Sequence, residues 1–135
     1  MSKVSPDVAT QELERFFDAM DLDVDQSNMT EDDLESFKNN MRILARSISS
    51  GNLVINDKGE PVFTPKIGNG EALTFHEPTG ASYMAMDGVK KKDRDISKTY
   101  GLMADMTHTS EATFSVMKNR DLKVCSAILG FFLGG

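Results

Sequence analysis

Between residues 21 and 32 the chain reads Asp21-Leu22-Asp23-Val24-Asp25-Gln26-Ser27-Asn28-Met29-Thr30-Glu31-Asp32, with carboxylates at alternate positions at its start. That spacing suits calcium chemistry, because side chains at the first, third and fifth positions of an EF-hand loop converge on one hard cation. Three positions depart from the pattern. Gln26 stands where a glycine permits the sharp turn, Asn28 where an apolar residue is usual, and Asp32 where a longer Glu would bind through both oxygens. The expectation is an acidic connection between two helices, with a calcium-binding helical module through Asp21, Asp23 and Asp25 as the alternative.

Other chemistry has few places to reside. His76 and His108 lie without Cys or carboxylates at ligand spacing in the sequence, so both read as surface or turn residues. Gly68-Asn69-Gly70 is a turn signal and not a phosphate-binding loop, and no serine sits in a nucleophile elbow. The chain reads as a protein that is not an enzyme and carries no cofactor. Cys125 is the single cysteine and falls within an apolar helical pattern, which excludes a disulfide within the chain and suits a reducing, intracellular setting.

The elements that position these residues follow from periodicity. Ser5 as cap, Pro6 in the first turn and Asp7 against the helix dipole start a helix, in which Ala9, Leu13, Phe16, Phe17 and Met20 form a stripe. Thr30 with Asp33 starts a second, whose face is Leu34, Phe37, Met41, Leu44 and Ile48, and Gly51 ends it. The two are expected to pair as a hairpin. From Leu53 the period switches to that of strands: Leu53–Ile55, a turn at Asn56-Asp57-Lys58-Gly59, Val62–Thr64, and a third strand from Ala72 to His76 with Leu73 and Phe75 on one face.

Beyond the strands, Pro78 and Thr79 start a helix carrying Tyr83, Met84 and Met86, and the mixed-charge run Lys90 to Asp95 reads as a solvated loop. Ile96, Tyr100, Met103 and Met106 form the next stripe; Thr109 is expected to cap a short helix holding Phe114 and Met117. Asn119 is expected to break it, with Asp121 capping a last helix whose face is Leu122, Cys125, Ile128, Leu129 and Phe132. The predicted class is α+β, mainly helical, with a small three-stranded antiparallel sheet between an N-terminal helical hairpin and C-terminal helices; residues 1–51 are the acidic hairpin and 52–135 the β-hairpin plus the helical part, together one compact unit. Phe37, Met41, Leu44, Leu73, Phe75, Tyr100 and Met103 are the predicted core.

The 135 residues carry a net charge of -6, all of it N-terminal: residues 1–50 hold 11 acids against 5 bases, and residues 51–135 hold 10 of each. Clustered acid repels phosphate backbones, which argues against nucleic acid and leaves basic proteins as partners. No signal-peptide pattern opens the chain, and the apolar stretch Val124 to Leu133 falls short of the roughly 18–20 residues that span a bilayer, so a soluble protein is expected, with no membrane partner. Nine methionines, five of them at Met84, Met86, Met103, Met106 and Met117, fill core gaps or form an adaptable binding face.

Leu73-Thr74-Phe75-His76-Glu77-Pro78-Thr79-Gly80, then Met86-Asp87, Leu102-Met103-Ala104-Asp105-Met106-Thr107, and Asn119-Arg120-Asp121-Leu122 leading to Ala127-Ile128-Leu129-Gly130-Phe131-Phe132-Leu133, together resemble the tail assembly chaperones of long-tailed bacteriophages. The likeness covers residues 53–135. It departs from the family's pattern in the acidic helical pair that precedes the strands and in Thr107-His108-Thr109, where a glycine is more usual. The resemblance implies a binding protein of the host cytoplasm that holds the tape measure protein, recruits tail tube subunits and is absent from the finished virion. It also implies a longer frameshifted product in many phages, which would put the end of the short form at Gly134-Gly135. A virion structural or adaptor protein is the competing reading.

The terminal helix supplies the expected partner surface, Leu129, Phe131, Phe132 and Leu133. Successive helical residues diverge by about 100°, so Phe131 and Phe132 cannot both face one small core, and one ring is expected to be exposed. A partner, or self-association, would cover it.

Overall fold

Ser5 is extended and its hydroxyl accepts a hydrogen bond from the Val8 N–H at 3.3 Å, Pro6 fills the first turn, and α1 runs Pro6–Ala19. Thr30 Oγ1 accepts from the Asp33 N–H at 3.2 Å to open α2, Glu31–Ser50, and Gly51 closes it at φ 87°. The computed structural model describes residues 4–22, 24–65, 71–87 and 95–134. Asp23, Gly68-Asn69-Gly70 and the run Lys90 to Arg94 lie outside the described residues. Val4 N donates to Ser49 O at 3.1 Å, which ties the start of α1 to the end of α2 and makes the pair antiparallel.

A mainly helical α+β fold follows, with β1 (Leu53–Ile55), β2 (Pro61–Phe63) and β3 (Leu73–Thr74) in the antiparallel order β1-β2-β3. Leu53 faces Phe63 across the first pair and Phe63 faces Leu73 across the second, so one face gathers Leu53, Ile55, Phe63, Leu73 and Phe75, all buried. β3 is shorter than the alternation suggests. Phe75 N still donates to Pro61 O, but the His76 N–H leaves the sheet for Met106 O at 3.0 Å, drawing the strand end onto a C-terminal helix.

The hairpin tip is clamped to α1. Asn56 Oδ1 accepts from the N–H groups of Lys58 and Glu60, both at 2.9 Å, and Gly59 takes the left-handed conformation at φ 81°. Gly59 is needed twice, since a Cβ there would stand 2.1 Å from the Cβ of Ala19. Arg15 reinforces the dock by donating from Nη2 to Ile55 O at 2.7 Å. The acidic N-terminal pair is therefore joined to the sheet by backbone fit as well as by apolar packing.

Among the described residues four helices follow: α3 (Gly80–Asp87), α4 (Asp95–Thr107), α5 (Glu111–Ser115) and α6 (Asn119–Gly134). Two starts differ from the expected ones. Thr109 does not cap α5, because its hydroxyl pairs with Thr107 Oγ1 at 2.8 Å and Ser110 takes the cap position without a side-chain bond. Asn119 opens α6 and does not break a helix; Asp121 consequently sits within the first turn, with Lys118 O accepting from the N–H groups of both Asp121 and Leu122. One buried cluster runs from Ala9 on α1 to Phe132 on α6. Leu44, Leu73, Phe75 and Met103 lie in it as expected, while Phe37, Met41 and Tyr100 are half-buried against it.

Candidate functional site

The expected partner surface on the terminal helix is mostly interior. Leu129, Phe131 and Phe132 are buried at 6%, 6% and 8% exposure, and Leu133 alone is open at 48%. The expectation of one exposed ring assumed a single wall for α6, and the helix has more than one. Phe131 packs on Phe17 of α1 at 4.8 Å between ring centroids and edge-on against Phe37 of α2 at 5.6 Å, while Phe132 meets Phe16 at 5.2 Å. Gly130 allows the close approach on the α2 side, where a Cβ would come within 3.1 Å of Asn40 Nδ2. Two rings that diverge by a helical step thus each find a partner.

The carboxylates of the first connection do not assemble as a calcium loop among the described residues. Asp21 is exposed at φ 52°, and Asp25 is engaged locally: its Oδ1 accepts from Ser27 N at 2.9 Å and Ser27 Oγ at 2.7 Å, capping a short 3-10 turn, Gln26–Asn28. Those bonds, the backbone one foremost, hold its carboxyl below the usual range. Asp23 lies outside the described residues, and among those described no three His, Cys, Asp or Glu side chains are grouped to hold a metal ion.

A polar cluster that sequence reading missed lies where β3 meets α4. His76 and His108 stack at 4.6 Å between centroids, and His76 Nδ1 lies 2.7 Å from Glu60 Oε2. Glu60 comes from the hairpin, sixteen residues from His76, and also accepts from Asn56 Nδ2 at 3.1 Å. Burial alone would raise its carboxyl, but the bonds from Asn56 and His76, with the charges of His76 and Lys58, leave it below the usual range. Nothing in the spacing of these residues pointed to their meeting. Among the described residues the cluster is not grouped to hold a metal ion, and it reads as a polar lock joining hairpin, strand end and the end of α4.

α3 turns a polar side chain inward. Its buried described side chain is Ser82, 2% exposed, whose Oγ donates to Asp105 Oδ2 at 2.6 Å and accepts from Thr79 N at 3.0 Å. On the outer side Met84 is 74% and Tyr83 43% exposed. Tyr83 and Met84 are thereby left open to solvent, where they can contribute to an interaction surface. Of the other C-terminal methionines, Met103 and Met106 are core and Met117 is half-buried beside Cys125 Sγ at 3.7 Å.

A groove of about 1350 Å³ separates the second half of α2 from the start of α6. Arg42 and Arg46 line one wall and Lys118, Arg120 and Lys123 the other, over an apolar floor that includes Phe63 and Tyr100. Asp121 is the acid among its lining residues, and it is 2% exposed. No helix among the described residues is long and apolar enough to cross a membrane. Comparison with protein-family models, with curated proteins and with solved structures returns no match.

Proposed function

We propose that this chain is a protein-binding assembly factor and not an enzyme, and more finely a tail assembly chaperone of a long-tailed bacteriophage. In this reading it acts in the host cytoplasm, holds the tape measure protein, recruits tail tube subunits and leaves before the virion is complete. The observation that carries it is the outward apolar side of α3, where Tyr83 and Met84 stand exposed because Ser82 takes the inward position against Asp105. Methionine suits a reversible hold on helical segments, since its unbranched, polarizable thioether adapts to irregular partners. The motif resemblance over residues 53–135 supplies the identity of the partner.

The test is co-expression of the tape measure protein with this chain. The wild type should keep that protein soluble and co-purify with it, whereas a Tyr83→Ser, Met84→Ser variant that stays folded by circular dichroism should lose it. Equal recovery with both chains would place capture elsewhere, and finding the chain as a stoichiometric component of purified particles would favour a virion structural protein instead.

A further inference from the structure

The molecule carries two opposite charge features that cannot meet within one copy. From Asp18 to Glu35 the sequence holds eight acids, Asp18, Asp21, Asp23, Asp25, Glu31, Asp32, Asp33 and Glu35, and no base. The seven that the structure describes are all exposed. The α2/α6 groove gathers five cations and one acid, a balance of +4, in a chain whose net charge is -6, so everything outside it sums to -10. Arg42, Arg46, Lys118, Arg120 and Lys123 are exposed, and the ion pairs recorded among the described residues, Arg15–Glu12 and His76–Glu60, involve none of them. The bond that Arg42 makes goes to the neutral Asn39 side chain.

Both features extend onto α2. Glu31, Glu35, Lys38, Arg42 and Arg46 recur at spacings of four, three, four and four along α2, so they form a single exposed stripe that is acidic at its first end and basic at its second. Glu31 and Arg46 are separated by about 22 Å of rigid helix at roughly 1.5 Å per residue, which prevents the acids from folding back onto their own groove. Helix-dipole preference explains acids in the first turn. It does not explain Lys118, Arg120 and Lys123, which come from the start of a different helix and converge on the same groove.

We propose that the groove receives the acidic end of α2 from a second copy of this chain, forming a two-fold dimer. Antiparallel crossing of the two α2 helices about an axis near Lys38 sets Glu31 against Arg46 and Glu35 against Arg42 of the other copy, and the two-fold repeats both contacts. The other acids at that end of α2, Asp32 and Asp33, then face Lys118, Arg120 and Lys123 of the partner copy. Because the two-fold axis uses both halves of both copies at once, no unpaired half is left and the assembly closes at two. A nucleic acid is the less suitable occupant, since a long polyanion would approach a chain that carries -10 outside the groove.

The test is sedimentation of the full chain at low and at high salt, with charge-reversed variants. At low salt the mass should be that of two copies, falling to one as salt screens the contacts. Arg42→Glu with Arg46→Glu should be monomeric, and so should Glu31→Arg with Glu35→Arg. An equimolar mixture of the two variants should recover the dimer, because at the contact positions 31, 35, 42 and 46 one then carries only acids and the other only bases; this recovery also shows that both are folded. A wild-type monomer at low salt and high concentration, a dimer indifferent to either reversal, or a mixture that stays monomeric would each overturn the proposal, as would a monomer that binds an oligonucleotide through the groove.

Discussion

Replacing Gly59 by alanine should uncouple the β-hairpin from α1. The new methyl group meets two separate obstacles. The backbone there has φ 81°, and an L residue in that region costs about 1–2 kcal/mol. The added Cβ would also lie 2.1 Å from the Cβ of Ala19, and relieving such a contact means moving the turn or α1 by more than an ångström, which for overpacked interiors costs roughly 1–3 kcal/mol. Together the loss is about 2–5 kcal/mol, a large share of the ~5–15 kcal/mol that holds a domain of this kind folded. Urea unfolding followed by circular dichroism measures it. Because Ala19→Gly removes the opposing atom, a double-mutant cycle isolates the steric part, with an expected coupling of about 1–3 kcal/mol. A Gly59→Ala variant within about 0.5 kcal/mol of the wild type, typical of an unremarkable surface change, would refute the dock between hairpin and helix.

Phe131→Ala and Phe132→Ala should each cost about 3–5 kcal/mol in the same assay, since both rings are core; near-neutral values would return them to the surface. Cys125, buried and beside the carboxylate of Asp121, has its thiol pushed up to about 12, so iodoacetamide at mildly alkaline pH should label it only as fast as the protein unfolds, and rapid labelling of the native chain would contradict its placement. Glu60 has a depressed carboxyl in the folded chain, so its contribution to stability is fully present above its ordinary value of 4.5 and is lost as pH falls through the lower folded value. The stability gap between wild type and Glu60→Gln should therefore narrow on acidification below that point, and a gap independent of pH would show that the carboxylate is not the relevant form.

The local signals in the sequence were legible because each acts within a few residues. Ser5 reaches Val8, Thr30 reaches Asp33, and Gly51 and Gly59 take positive φ where a helix end and a tight turn require it. The face of the third strand followed from alternation, as the burial of Leu73 and Phe75 shows. Apart from the starts of α5 and α6, what escaped depends on contacts distant in sequence. Amphipathic reasoning gives α6 one buried side, but the helix lies against both α1 and α2, and rings as far away as Phe16 and Phe37 decide where Phe131 and Phe132 go. Glu60, His76 and His108 meet because a strand end bends onto α4, an event without a local signature. The serine-inward docking of α3 was equally hidden, since Ser82 is polar by type and its partner Asp105 lies on another helix.

The most direct test of the assembly-factor reading is hydrogen–deuterium exchange of the chain alone and in complex with the tape measure protein. The outward side of α3 is the proposed contact, so the amides of Gly80–Asp87 should gain protection on binding, while those of the interior helix α6 should exchange equally in both states. Failure to form a complex, or protection confined to α6 with α3 unchanged, would contradict it.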